Sequence, residues 1–143
     1  MPTRPADALC QFVSPFLRFL REGLAGLNMS PARFQLLQTL SMEGERSMNE
    51  LAERLSVSKR NVTSLVDSLE KDGLAKRQPH PTDRRSTLVV LTPTGAQRFS
   101  EAAKLQRTHL EGLLANLNER QQVEMAEALN ALTHALTRGK SPD

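Results

Sequence analysis

Most of this chain repeats its apolar residues at helical spacing, and one short stretch changes to a period of two. The first stripe covers residues 8–27, with Leu9, Phe12, Val13, Phe16, Leu17, Leu20, Leu24 and Leu27 at intervals of three and four. That spacing builds one apolar helix face. Pro15 lies inside it, so the helix either starts at Ser14-Pro15 or kinks there. Ser30-Pro31 joins a capping hydroxyl to a proline at the first helical position, and predicts a helix that stops near Gly44. Ser47-Met48-Asn49-Glu50 is a capping box opening a short helix that carries Leu51, Ala52 and Leu55. Ser58 caps the next helix, whose Val62, Leu65, Val66 and Leu69 face inward, and Gly73 closes it. The two helices have helix-turn-helix spacing, with the turn at Leu55-Ser56-Val57.

The period then shortens. Leu74 to Gln78 and Thr87 to Leu91 read as two strands. The loop between them makes a long basic tip, and such a hairpin must dock on helices because a lone one is marginal. Thr92-Pro93 starts a helix running to about Leu117, and Asn118-Glu119-Arg120-Gln121 is a second capping box. The last helix carries Val123, Ala126, Leu129, Leu132 and Leu136. The expected fold is mainly α with a small β-hairpin wing. It comprises a winged helix-turn-helix domain at residues 30–95, a helical region from 6–28 and 96–138, and a disordered tail at 139–143.

Composition narrows the function. A chain of 143 residues makes one domain, or one domain with a helical arm, and needs no metal or disulfide to hold a core. Its single cysteine, Cys10, cannot form an internal bridge. No apolar run approaches the ~18 residues of a membrane span, and Met1 to Asp7 carries no leader pattern, so a cytoplasmic location without membrane contact is expected. Tyr and Trp are absent, which argues against an aromatic platform for stacking bases.

Charge changes the picture more. The net charge is only +3, yet residues 54–85 hold eight basic and four acidic side chains. The remainder carries eleven basic and twelve acidic residues. Positive charge focused in one segment is the footprint of a polyanion, although a solvated, salt-bridged face gives the same count. The outer face of the second helix of the pair offers Ser58, Lys59, Arg60, Asn61, Thr63 and Ser64. Lys and Arg suit guanine edges and phosphates, Asn suits adenine, and Thr meets the thymine methyl. The hairpin tip reads Thr82-Asp83-Arg84-Arg85-Ser86. A protruding arginine there is drawn to a narrow minor groove, and Asp83 is close enough in sequence to pair with Arg85 and hold its fork. His80, between two prolines, is an exposed loop residue within reach of a phosphate.

These segments together resemble the MarR family of winged-helix transcription regulators. The likeness runs from about Ser30 to Gly95 and is most specific at Val62 to Leu74, at Arg77, and at Asp83 to Thr92 followed by Gly95. It resembles the family's leucine–glutamate–x–x–glycine–leucine helix end and its aspartate–x–arginine … leucine–threonine–x–x–glycine wing. The resemblance implies a sequence-specific regulator of double-stranded DNA, with repression the expected mode. It also implies a homodimer formed by the first helix and the last two, reading a pseudo-palindrome. It places the helix from Ser58 in the major groove and Arg85 in the minor groove. Asp83 supports the wing, and Lys76 and Arg84 are phosphate candidates.

The same resemblance implies a small aromatic or anionic effector. Phe16, Phe19, Leu20, Met29, Phe34 and Met42 are candidates to line its crevice, and Arg18 or Arg21 to meet a carboxylate, although apolar residues at helical spacing serve more readily as plain core and Met as a gap-filler. Cys10 is a candidate redox sensor by analogy with a peroxide-sensing branch. Its apolar neighbours and the absence of tyrosine partners oppose that reading. No cofactor is expected. No phosphate loop, paired-cysteine metal spacing or local nucleophile motif points to an enzyme. The rival is a winged helix that binds protein, which has no need of basic residues at both the helix start and the wing tip.

Overall fold

The structure, a computed structural model, describes residues 2–138. Helix α1 spans Pro5–Leu24, followed by a 3-10 turn at Ala25–Leu27. Then come α2 (Pro31–Glu43), β1 (Arg46–Ser47), α3 (Met48–Leu55), α4 (Lys59–Lys71), β2 (Ala75–Pro79), β3 (Thr87–Leu91), α5 (Pro93–Leu114) and α6 (Glu119–Arg138). The chain divides into two compact units, one ending at Gln106 and the other starting at Arg107. The tail expected at 139–143 lies outside the described residues.

In the first unit the expected caps are in place. Ser30 Oγ accepts from Arg33 N at 3.1 Å. Ser47 Oγ accepts from Glu50 N at 3.1 Å, while Glu50 Oε1 accepts from Ser47 N at 3.5 Å. Each satisfies amides that a helix start leaves without an intrahelical partner. Helix α4 ends in a Schellman arrangement. Gly73 adopts φ +73°, Gly73 N donates to Glu70 O at 3.0 Å and Leu74 N to Leu69 O at 2.9 Å. The α3–α4 turn uses Ser56 at φ 53°, and Val57 N closes onto Ala52 O at 3.1 Å.

Two expectations are sharpened. Of the two readings of Pro15, the start at Ser14-Pro15 is excluded: helix α1 begins at Pro5 and passes through Pro15. Pro15 cannot donate to the Gln11 carbonyl, but both residues are exposed, so solvent replaces that hydrogen bond. The expected hairpin forms from β2 and β3, and a third strand that the sequence did not signal joins it, giving an antiparallel sheet in the order β1-β3-β2. Arg46 pairs with Val89 and Ser47 with Leu88, while β2 and β3 run in register from Ala75 opposite Leu91 to Pro79 opposite Thr87. With only two residues β1 has no periodicity to read, and Ser47 does double duty as the cap of α3.

The core of this unit is continuous. Leu24, Leu36, Leu37, Leu51, Val62, Val66, Leu69 and Val89 are fully buried, joined by Met29, Leu40, Leu74, Ala75 and Ala102. At about 1.5–3 kcal/mol per large side chain, this burial is what holds α4 and the sheet in place. In the second unit Gln122 Nε2 donates to Leu114 O and Leu117 O at 2.8 and 3.1 Å, closing the turn before α6. Asn118 and Gln121 form the expected reciprocal cap at 2.9 and 3.0 Å.

Candidate nucleic-acid interface

Helix α4 sorts its residues onto two faces. Val62, Val66 and Leu69 are buried, while Lys59, Arg60, Asn61, Thr63 and Ser64 are exposed. Ser58 Oγ accepts from Asn61 N at 3.1 Å, so Ser58 acts first as a cap, with its O–H and one lone pair left for other contacts. Thr63 Oγ1 donates to Lys59 O at 2.8 Å, which leaves its methyl group for apolar contact.

The ion pairs divide the charges of this segment sharply. Arg54 pairs with Glu43 at 3.1 Å, and Arg77 with Asp67 at 2.6 Å and Glu70 at 2.9 Å. Arg33 pairs with Asp72 at 2.7 Å and donates to Ser68 Oγ at 3.1 Å. Among the described residues Lys59, Arg60, Lys71, Lys76, Arg84 and Arg85 make no ion pair. The acids of α4 and its cap are thus taken up by Arg77 and Arg33, and the cations at the α4 start and the wing tip stay uncompensated. A merely salt-bridged surface would look different.

Arg77 also ties the wing to α4. Its amide donates to Glu70 Oε2 at 2.9 Å while its guanidinium spans Glu70 and Asp67. Partial burial pulls the Arg77 guanidinium down, but the hydrogen bonds and charges of Asp67 and Glu70 outweigh it and hold it above its ordinary value. Arg33 performs the same task from α2. The junction at the wing root is equally specific. Thr92 Oγ1 donates to Gly73 O at 2.6 Å and accepts from Gly95 N at 2.9 Å, and Thr92 N donates to Leu74 O at 3.1 Å. The helix-end and wing motifs of the sequence therefore meet in space.

At the wing tip Asp83, Arg84 and Arg85 are exposed. Asp83 does not hold the Arg85 fork as expected. Its Oδ1 accepts from the Arg85 backbone amide at 3.0 Å, and Ser86 N donates to Asp83 O at 3.1 Å. A short aspartate reaches the amide two residues on more easily than a long, solvated guanidinium. Asp83 therefore shapes the turn and leaves the Arg85 side chain without an ion pair. His80, read as a plain loop residue, accepts two backbone hydrogen bonds at Nδ1.

The effector and redox candidates are scattered. Phe16 stacks on Phe12 with ring centroids 4.8 Å apart, and Phe34 meets Phe99 at 5.2 Å. Arg18 and Arg21 are exposed on α1. Of the crevice candidates only Met29 lines the cavity of about 260 Å³, which is bounded by Leu27, Asn28, Met29, Arg33, Asp72, Leu74 and Arg98; Phe16, Phe19, Leu20, Phe34 and Met42 do not, nor do Arg18 and Arg21. Cys10 is an exposed free thiol. No group of metal-ligating side chains occurs among the described residues. No described helix is long and apolar enough to cross a membrane.

Comparison with known proteins agrees with this geometry. Residues 27–86 match the family model described as MarR family. The chain is 32% identical over 114 residues to the HTH-type transcriptional regulator YfiV of Bacillus subtilis, covering 80% of this chain and 71% of that protein. It is 27% identical to the B. subtilis transcriptional repressor YetL, covering 79% and 69%. Among solved structures, the repressor CouR bound to a 23-mer DNA duplex superposes with a TM-score of 0.82 at 27% identity, covering 91% and 92%. A cysteine variant of Escherichia coli MarR complexed with operator DNA gives 0.76 at 28%, covering 90% and 93%. These relatives are transcriptional regulators, and the three-stranded wing, the capped helix-turn-helix and the sequence match agree: this chain belongs to the MarR family of winged-helix transcriptional regulators.

Proposed function

We propose that the protein is a homodimeric repressor that binds a pseudo-palindromic operator. In this reading α4 enters the major groove and the wing tip reaches the minor groove. The carrying observation is that the unpaired cations of residues 54–85 include both Lys59 and Arg60 at the α4 start and Arg84 and Arg85 at the wing tip. Ser58, Asn61, Thr63 and Ser64 supply the short polar groups between them, and Lys76 adds a phosphate contact. A winged helix serving only protein contacts has no use for this arrangement. The test is a titration on DNA upstream of the protein's own gene, and on sites selected from random DNA, at about 150 mM salt. Specific binding exceeds random DNA by ~10³ or more. Equal affinity for every sequence, selected sites included, would remove the sequence-specific reading.

Residues 6–28 and 96–138 are assigned to dimerisation, and residues 30–95 to DNA binding. Leu9, Phe12, Val13 and Leu17 on α1 and Val123, Leu129, Leu132 and Leu136 on α6 are between 45% and 76% exposed. Apolar stripes of this kind mark interaction surfaces. A two-fold dimer sets its recognition helices about 34 Å apart, one turn of DNA. Sedimentation of the wild type against Leu17→Glu and Leu132→Glu tests this, with a monomeric wild type as the contrary result. The finer reading includes release by a small anionic effector. Arg98, which borders the cavity, is better placed to meet a carboxylate than Arg18 or Arg21; Arg33 borders it too but is held by Asp72.

A further inference from the structure

The wing tip contains a side chain with a role outside the interface assignment above. The loop begins Pro79-His80-Pro81, and Pro81 has no amide hydrogen, so the first amides available after His80 belong to Thr82 and Asp83. Both donate to the same atom: Thr82 N lies 3.2 Å and Asp83 N 3.0 Å from His80 Nδ1. The Thr82 hydroxyl lies 3.4 Å from that nitrogen. His80 N donates to Ser86 O at 3.3 Å across the mouth of the loop. The ring thus acts as an asparagine carboxamide does in an Asx turn, capping the amides two and three residues on. It fixes Asp83, which in turn takes the Arg85 amide at 3.0 Å.

We propose that His80 is a positioning residue for DNA binding: its neutral ring orders the wing tip that presents Arg84 and Arg85, and protonation releases it. An imidazole that accepts at Nδ1 must carry its proton on Nε2. A second proton would replace the lone pair that both amides use. Order in the wing is therefore expected to fall when the ring gains a second proton, because both amides lose their acceptor. The charged groups of this loop are Asp83, Arg84 and Arg85. Of the adjoining strands, β2 brings Lys76 and Arg77 and β3 brings none. The Asp83 side chain is engaged by the Arg85 amide and Arg77 by Asp67 and Glu70, so each is turned to a partner other than the ring. A protonated ring beside DNA phosphate would act in the opposite direction, which gives the pH profile a sign to test.

The inference rests on the DNA-binding reading, and two separate measurements keep the two apart. In the free protein, the Thr82 and Asp83 amide resonances are followed by NMR from pH 8 to 5.5. They are expected to shift together in the wild type and to stay fixed in His80→Asn, whose side-chain oxygen accepts without titrating. Fixed amides in the wild type would overturn the role of His80 whatever the protein binds. Operator affinity is then measured over the same range at constant salt. The wild type should lose about tenfold toward acid pH, the size expected for two exposed hydrogen bonds. His80→Asn should match the wild type at pH 8 and lose less on acidification, and His80→Ala should be weak throughout. His109 and His134 are present in both proteins, so the difference isolates His80. Titrating amides with no difference in affinity between wild type and His80→Asn would overturn the coupling to DNA. Affinity that rises toward acid pH in the wild type alone would make His80 a phosphate contact instead.

Discussion

Gly95→Ala probes the junction on which the wing stands. Gly95 is buried near the start of α5. A Cβ built there would overlap the Leu74 carbonyl oxygen, and would lie 2.8 Å from Leu74 C and 2.9 Å from Leu91 Cδ1. The struck oxygen already accepts from Thr92 N at 3.1 Å. Since backbone cannot rotate aside as a side-chain tip does, the β2 start, the end of β3 and α5 must separate. Overpacking of this kind costs about 1–3 kcal/mol, and losing the Thr92–Leu74 hydrogen bond about 1 kcal/mol more. Against this stands the helix preference for alanine over glycine, about 1 kcal/mol. The net expectation is a loss of about 1–3 kcal/mol. The chain has no Trp or Tyr, so urea unfolding is followed by helical circular dichroism at one protein concentration. With a slope of about 1–3 kcal/mol/M, the midpoint should fall by roughly 1 M. Gly112, in the same helix with nothing within 4 Å, is the control, and its replacement by alanine should be neutral or stabilising. Equal or higher stability of Gly95→Ala would refute the steric argument, because it would mean that helix preference alone decides the outcome.

The remaining predictions concern the interface. Arg77→Ala should cost only about 1 kcal/mol of stability, since its partners Asp67 and Glu70 are 62% and 40% exposed and such pairs are screened. It should nonetheless weaken operator binding measurably, by freeing two carboxylates on α4, and Arg77→Lys should fall between; unchanged affinity would show that the clamp does not position the interface. Arg85→Ala should lose about tenfold in affinity, more on an operator with A·T-rich flanks; a loss independent of flank sequence would place Arg85 on phosphate. Lys59→Ala or Arg60→Ala should reduce the salt dependence of binding by about one phosphate contact per subunit, and an unaltered slope removes that residue from the backbone contacts.

What the sequence determined by itself is what depends on neighbours within a few residues. Ser30, Ser47, Ser58 and Asn118 start helices because each reaches an amide three positions ahead. Gly73 ends α4 because a left-handed residue costs it least. The buried stripe of Val62, Val66 and Leu69 follows from the helical repeat. The cations at the α4 start and wing tip were legible for the same reason, being set by position on a local element. Their lack of partners was not, because ion pairing depends on what the fold brings near. Arg33 finds Asp72 across 39 positions of sequence and Arg77 finds Asp67 across 10. Together they engage Asp67, Glu70 and Asp72, three of the four acids that a charge count alone would have set against those cations. The two-residue strand β1 exists only because β3 offers it an edge. Gly95 matters only because Leu74 lies against it. Asp83 and His80 each had a local partner, yet which of several nearby donors they took was settled by the closure of the hairpin, with Pro79 opposite Thr87. Such choices depend on the approach of distant backbone, so periodicity and spacing carry no record of them.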